Sequence, residues 1–170
     1  MNCRRCANIR TRLVDWFIAL CCRYGREDHL MDIDGNGHYM RRWELIRTPW
    51  FGVRLHNTLR PDLDRYLHDH PWANVSIILK GFYVEALPLF DEPTFVMHAW
   101  RGVMVEPVRN VTREAGAVIF RRACDRHSLT ALSCVPCWSL FIVGPHRRGW
   151  CFYTPAGMVP ADEYKAKGKQ

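Results

Sequence analysis

Two histidines separated by a single residue are the densest chemical signal in the sequence. They are His68 and His70, within the segment 67–72. Side chains two residues apart on an extended strand point to the same side, so both imidazoles can reach one metal ion. A third ligand has to come from elsewhere, and His127 is the best placed because it directly precedes a predicted strand. The pattern predicts a three-histidine site for a divalent transition metal.

The elements that must position these histidines are predicted to be strands. From residue 38 onward, short segments rich in β-branched and aromatic residues alternate with turn signals such as Lys80-Gly81 and Ala115-Gly116. The predicted strands are 39–47, 51–59, 73–79, 82–87, 94–101, 102–106, 117–121, 128–132, 138–143 and 150–153. This many short strands in one domain predict an all-β sandwich or barrel.

Length and composition describe one ordinary globular domain. The chain has 170 residues, of which 48% are hydrophobic and 24% charged, and this excludes disorder as the dominant state. No apolar run approaches the roughly 18 residues that a membrane-spanning helix needs. We divide the chain into a basic N-terminal arm over 1–30, a barrel domain over 31–160 and a flexible tail over 161–170.

The positive charge is concentrated in the arm. The net charge is +7, and residues 1–26 contribute +5 of it, from six arginines and one acid. The barrel domain is nearly neutral, so we expect no specific nucleic-acid binding by it. Association of the arm with nucleic acid or an anionic membrane, with acylation of Cys21 or Cys22, stays an alternative.

An apolar run inside the arm predicts a short helix that docks on the domain. Leu13, Trp16, Phe17 and Leu20 lie at helical spacing on one face. Asp15 interrupts the run, and no small-residue cleavage site follows it, so a secretory signal peptide is disfavoured. We therefore expect a cytoplasmic protein with reduced thiols.

The cysteines give weaker signals than the histidines. Cys3-x-x-Cys6 and the pair Cys21-Cys22 leave a zinc site open, although their spacing fits no zinc finger. The motif Cys134-x-x-Cys137 leads straight into a predicted strand, which favours buried thiols over a redox pair.

The segment 32–37 matches the first half of a calcium-binding EF-hand loop. The twelfth position of that loop would be Trp43, where a carboxylate is required. A turn at Asn36-Gly37 that leads into a strand is the better interpretation.

The histidine pattern resembles the motifs of the cupin superfamily, small β-barrels that hold a metal inside. In the first cupin motif, His-x-His is followed by a glutamate and then a glycine; here Asn74 and Gly81 occupy those positions. His127 matches the histidine of the second motif, without its Pro-x-Gly turn. The resemblance covers residues 38–155 and implies a cupin-type double-stranded β-helix, a jelly-roll barrel, with a short N-terminal helical arm and the three histidines as metal ligands.

The chain also resembles uncharacterised bacterial and phage cupin-like proteins that carry the segment His-Asp-His-Pro-Trp. That segment stands here at 68–72, and the similarity extends to 47–50 and 150–157. This second resemblance implies no particular activity.

The absence of the motif's glutamate implies a three-histidine site similar to that of thiol-oxidising cupin dioxygenases. The resemblance then implies a non-haem iron oxygenase type of chemistry, while iron, zinc, nickel and manganese are not distinguished. The alternative is a ligand-binding or structural module without turnover, which Asn74 in place of the glutamate favours. The family also implies pairing into a homodimer.

We expect a small, anionic organic molecule as the ligand of the barrel. By strand alternation Arg121 would face inward with His127, and an inward guanidinium suits a carboxylate or phosphate. The candidate substrate-binding residues are Asn74, Arg121, Arg54 and His56. Asp69 and Asp125 are the candidates for carboxylates that support the metal ligands from behind.

Overall fold

The computed structural model describes residues 4–31, 38–62, 64–98, 102–133 and 136–166. Strands dominate, as the alternation of the sequence predicts. In chain order the elements are α1 (Arg4–Tyr24), β1 (Arg26–Met31), β2 (His38–Arg47), β3 (Gly52–Thr58), β4 (Asn74–Lys80), β5 (Phe82–Pro88), β6 (Val96–His98), β7 (Val103–Val105), β8 (Val108–Glu114), β9 (Val118–Arg121), β10 (Ser128–Leu132), β11 (Cys137–Val143), β12 (Cys151–Thr154), β13 (Gly157–Pro160) and α2 (Ala161–Ala166).

Two antiparallel sheets face each other. The larger has the strand order β1-β2-β3-β11-β4-β9 and the smaller the order β10-β5-β8, while β6–β7 and β12–β13 form separate hairpins. Ile78 and Ile119 of the larger sheet pack against Tyr83 of the smaller one. The chain passes repeatedly between the sheets, which is the double-stranded β-helix that the resemblance implied.

Every predicted strand is present, and in the described part of 94–101 the strand is β6. Three strands were not predicted. β8 carries three charged residues in seven and has little apolar alternation, so its strand conformation comes from pairing with β5 along its whole length. β1 pairs with β2 and so belongs to the larger sheet rather than to the arm. β13 closes a hairpin with β12.

Helix α1 docks on the larger sheet, but with a different face from the predicted one. Ile18 and Cys21 are buried against Trp43 and Leu55. Of the predicted face, only Phe17 packs against this cluster. The remaining members are exposed: Leu13 by 61%, Trp16 by 63% and Leu20 by 38%.

The rotation of α1 is set where the helix ends. The Gly25 N–H bonds the carbonyl of Cys21 at 2.8 Å, and a Cβ at Gly25 would lie 2.8 Å from the Cβ of Trp43. This close approach presses the Cys21 side of the helix onto the sheet. The rotation of α1 therefore depends on its contact with β2, which cannot be read from the helical periodicity of the α1 sequence.

The expected flexible tail begins with an ordered helix. Residues 161–166 form α2, in which Ala161 and Tyr164 are buried. Tyr164 stacks on Phe152 with ring centroids 4.0 Å apart. The expectation of a flexible tail is therefore wrong for these six residues.

Some sequence expectations lie outside the described residues. They are the EF-hand-like segment 32–37, Cys3 and Cys134. Cys21, Cys22, Cys124, Cys137 and Cys151 are free thiols. Neither helix in the described ranges is long and apolar enough to cross a membrane.

Candidate metal centre

The backbone brings two of the three histidines together. His68 and His127 form an antiparallel bridge in which each N–H bonds the other's carbonyl, at 3.0 and 2.9 Å. The His70 N–H bonds the carbonyl of Ala123 at 3.2 Å. Backbone hydrogen bonds thus join two segments that are far apart in the chain, at the residues whose side chains converge.

The three imidazoles meet in one place. One ring nitrogen from each of His68, His70 and His127 lies within 4.8 Å of the others, and Nε2 of His70 is 2.8 Å from Nε2 of His127. Two ligands about 2.1 Å from one metal and at right angles to each other are about 3 Å apart. The donor set therefore fits a metal ion held by three nitrogens on one face.

The electrostatic surroundings favour neutral rings. Burial, helped by nearby Arg121, lowers the pKa of His68 and of His127 to about 4. Burial also lowers the pKa of His70, helped by the two neighbouring histidines. A metal ligand must be the neutral imidazole, so the site is ready for a cation at neutral pH.

A buried carboxylate orients one of the ligands. Glu85 on β5 has no exposed surface, and its Oε1 lies 2.9 Å from Nδ1 of His127. It also accepts hydrogen bonds from Nε of Arg121 at 2.7 Å and Nε of Arg113 at 2.9 Å. Burial acts to raise the pKa of Glu85, but His127 and the two arginines outweigh it and hold the pKa at about 2.

The nearby carboxylate favours one tautomer of His127. An ionised carboxylate 2.9 Å from Nδ1 favours the proton on that nitrogen, which leaves the lone pair of Nε2 on the side of His70. Nδ1 of His68 and Nδ1 of His127 are both buried without a well-aligned hydrogen bond among the described residues, although Nδ1 of His127 has the Glu85 carboxylate 2.9 Å away.

The histidines open into a cavity of about 610 Å³ between the two sheets. Its lining is largely apolar and aromatic. Near the histidines the wall includes Trp72, Tyr83, Phe141 and Trp150. A cavity of this size suits a small organic molecule.

Arg54 and His56 both line this cavity, as predicted from their alternation on β3. The Arg54 guanidinium lies 5.1 Å from the centre of the Trp72 ring, and its Nε is buried without a partner in the described part of the chain. His56 stacks on Phe141 at 4.8 Å, and burial, helped by Arg42 and Arg54, lowers its pKa to about 3. A cation and a neutral ring thus face the cavity beside each other.

Arg121 and Asn74 are held differently from what their predicted role requires. Arg121 lines the cavity, but its guanidinium binds Glu85 and lies 3.4 Å from the Tyr83 hydroxyl. Asn74 pairs with Arg121 across β4 and β9 and is 2% exposed. Its amide has no partner among the described residues, and Asn74 is not among the residues that line the cavity.

Asp69 points away from the ring nitrogens of its neighbours. Its fully buried carboxylate accepts hydrogen bonds from the Cys151 N–H at 2.8 Å and the Tyr153 hydroxyl at 2.9 Å. Arg148 lies 3.0 Å from the same carboxylate. Asp69 therefore ties the histidine segment to β12.

Asp125 is placed in a surface turn. Its carboxylate accepts hydrogen bonds from the N–H and the Nε of Arg122, at 2.8 and 2.9 Å. It holds the loop before His127 rather than a histidine ring.

Glu85 is the residue that the sequence reasoning missed. Its only signal is a single acid within an apolar strand, flanked by Val84 and Ala86. Nothing along the chain connects it with His127, since the contact forms only when β10 pairs with β5.

Comparison with known proteins is informative at the level of structure alone. No family model matches the sequence, and no curated protein matches it. The polyketide cyclase RemF from Streptomyces resistomycificus is similar with a TM-score of 0.51 and 16% identity, over 76% of this chain and 78% of RemF.

Two further structures are more distant. Fe(II) HppE has a TM-score of 0.47 and 15% identity, over 70% of this chain and 56% of its own. An RmlC-like cupin from Shewanella frigidimarina has a TM-score of 0.44 and 15% identity, over 74% and 88%. The facing antiparallel sheets and the likeness to RemF identify the fold as a double-stranded β-helix.

Proposed function

We propose that the protein is a metal-dependent cupin of the non-haem iron oxygenase type, acting on a small anionic organic molecule. The observation that carries the proposal is the convergence of three neutral imidazoles at a buried cavity. His68, His70 and His127 would hold a divalent transition metal. Such a metal supplies redox and Lewis-acid chemistry, with coordination positions left open for substrate and O₂.

The other residues have supporting roles in this proposal. Glu85 keeps the proton on Nδ1 of His127 and holds the ring in place. Arg54 binds the anionic group of the ligand through N–H groups that the Trp72 ring leaves free. Trp72 and Phe141 pack against the rest of the ligand and exclude water.

Arg121 and Asn74 act close to the metal rather than on the distal part of the ligand. Arg121 holds Glu85, and the buried, unpaired amide of Asn74 lies on the same side of β4 as the cavity-lining Ser76, where it would donate a hydrogen bond to a water beside the metal. His56 adds a neutral polar group next to Arg54.

Metal analysis tests the site directly. The protein is stripped with a chelator and titrated with Fe(II), Zn(II), Ni(II) and Mn(II) by calorimetry, beside the double variant His68→Ala/His70→Ala. We expect one equivalent of metal in the wild type and none in the double variant. His56→Gln is the matched control, since it changes a cavity histidine outside the group and should keep the metal. Equal, substoichiometric metal in all three proteins would contradict the proposal.

A second experiment separates an enzyme from a binding module. The Fe(II)-loaded protein is mixed anaerobically with 2-oxoglutarate, thiols or sugar nucleotides and then exposed to O₂. Turnover supports the oxygenase, whereas saturable binding without turnover supports a non-enzymatic ligand-binding cupin.

A further inference from the structure

Arginine and lysine side chains line the cavity at four places among the described residues, and they differ in whether a carboxylate neutralises them. Arg42 and Arg121 are each paired with a carboxylate. Arg54 and Lys165 also line the cavity, but neither forms an ion pair within the described part of the chain. These two side chains therefore bring positive charge to the cavity that the protein does not compensate by direct contact.

Each of the two unpaired cations lies on a tryptophan ring. The guanidinium carbon of Arg54 is 5.1 Å from the centre of the Trp72 ring, and Nζ of Lys165 is 4.1 Å from the centre of the Trp150 ring. An aromatic face attracts a cation but has no net charge, so it positions the cation without neutralising it. Both groups can therefore still bind an anion that enters the cavity.

The two tryptophans lie beside different metal-ligand candidates. Trp72 stacks on His70 with ring centroids 5.8 Å apart, and Trp150 lies edge-on to His68 at 5.9 Å. Each of these histidines thus has next to it a tryptophan that carries a cation. A ligand in front of the histidine group can meet a separate cation beside each of the two rings.

Helix α2 holds Lys165 in its place. The Ala161 N–H at the start of the helix bonds the carbonyl of Trp150 at 2.9 Å, and the buried Tyr164 stacks on Phe152. These contacts fix the helix to the segment that carries the Trp150 ring. Lys165 is exposed and also lines the cavity, so it lies where the cavity opens to solvent.

Asp64 is the carboxylate that competes for Lys165. It lines the same cavity, and its charge, together with that of Asp162, acts to raise the pKa of Lys165. Partial burial of Lys165 outweighs both and lowers that pKa. No ion pair joins Lys165 to either carboxylate in the described structure, so a direct counter-charge has to come from a ligand.

We propose that Lys165 is a second anion-binding residue of the cavity and that the ligand is a small dicarboxylate, with one carboxylate bound by Arg54 and the other by Lys165. The inference rests on the proposed function in one respect, namely that the ligand occupies the cavity of the metal centre. Each cation stands alone, which matches the single charge of a carboxylate better than the double charge of a phosphate. A monocarboxylate would leave one of the two cations without a partner.

Calorimetric titration with matched pairs of acids tests the proposal. The pairs run from succinate and butanoate to suberate and octanoate, so the two members of each pair differ only in the second carboxylate. The protein is titrated metal-free and loaded with Zn(II), which has no redox chemistry of its own. For at least one chain length we expect the dicarboxylate to bind about tenfold or more tighter than the monocarboxylate.

Variants assign this preference to the two cations. Lys165→Gln should remove the preference for the dicarboxylate, as should Arg54→Gln, whereas Lys165→Arg keeps the charge and should retain it. Lys80→Gln is the matched control, because the Lys80 ammonium bonds Asp15 of α1 at 2.8 Å outside the cavity and the variant should behave as the wild type. The metal content should be the same in all of these proteins, since none of the changed residues belongs to the histidine group.

Two results would overturn the proposal. One is equal affinity of the wild type for both acids at every chain length. The other is a preference for dicarboxylates that Lys165→Gln leaves intact, which would show that other groups bind the second carboxylate.

Failure of the proposed function has a different outcome. A protein that takes up no metal but prefers dicarboxylates through Lys165 would keep this inference and lose the metal-dependent activity. A protein that takes up metal but does not distinguish the paired acids would lose this inference alone.

Discussion

Nδ1 of His127 lies 2.9 Å from Oε1 of Glu85, and this contact joins the candidate metal centre to a fully buried ion-pair network. The carboxylate is held by two arginines, so it stays ionised and favours the proton on Nδ1. The ring that faces the other two histidines is thereby biased toward the tautomer whose lone pair lies on Nε2.

We expect Glu85→Gln to weaken metal binding about 10- to 100-fold, the usual cost of losing a group that supports a metal ligand. It should also destabilise the fold by about 3–5 kcal/mol, because Arg121 is left buried without its counter-charge. Calorimetric metal titration and chemical denaturation measure the two effects.

Glu106→Gln separates these two consequences. Glu106 is also buried and lies 2.8 Å from Arg126, but it has no contact with the histidines in the described structure. This variant should lose stability and keep its metal affinity. Equal loss of metal affinity in both variants would show that Glu85 acts through the fold alone.

We expect Arg54→Gln to lower the affinity for an anionic ligand about tenfold or more, since a charge-assisted hydrogen bond contributes about 1.5–3 kcal/mol. The metal content should not change, because Arg54 is not a member of the convergent histidine group. Ligand titration of the metal-loaded protein measures the effect. Arg47→Gln is the control, since that side chain is 72% exposed, and a similar loss in it would point to general electrostatic attraction.

Stability of the metal-free protein should depend on pH through the cavity histidines. The folded protein lowers the pKa of His56 to about 3, whereas in the unfolded chain it is about 6.5. Below pH 6.5 the unfolded state therefore binds a proton that the folded state does not bind. The free energy of unfolding falls as the pH is lowered, until the pH approaches 3.

The contribution of His56 is measured by comparing how steeply the free energy of unfolding falls with pH in the wild type and in a His56 variant. Between pH 6.5 and 5 it is about 1 kcal/mol, reduced for the partial exposure of the ring to the cavity. His56→Gln should show a shallower loss of stability over this range in urea denaturation. An unchanged slope would show that the ring is protonated in the folded state.

Asp69→Asn should destabilise the protein by about 3 kcal/mol, because it weakens the bonds from the Cys151 N–H, the Tyr153 hydroxyl and Arg148 at once. Thermal denaturation measures the loss. Asp125→Asn changes a carboxylate in a surface turn and should stay within about 0.5 kcal/mol of the wild type. Comparable melting temperatures for the two variants would contradict the role of Asp69 as a clamp.

Local sequence patterns were enough to predict much of the fold and part of the candidate site. The period-two alternation identified the strands of the two sheets, and the i and i+2 spacing of His68 and His70 identified two members of the convergent group. His127 was found because it directly precedes a strand, β10, and the structure pairs it with His68 in an isolated bridge. These inferences succeed because they need only the geometry of one strand.

Tertiary packing decided which buried charges pair and which face each element buries. Glu85 and His127 meet because β10 pairs with β5, and Arg121 turns to Glu85 because a buried carboxylate attracts the nearest buried cation. The face that α1 buries depends on how closely Gly25 approaches Trp43. The sequence by itself determined the strands, the fold class and the three histidines, through side-chain periodicity within single segments. The partner of each buried charge and the outward face of each element were decided by strand register and helix docking, because these join residues that no local period relates.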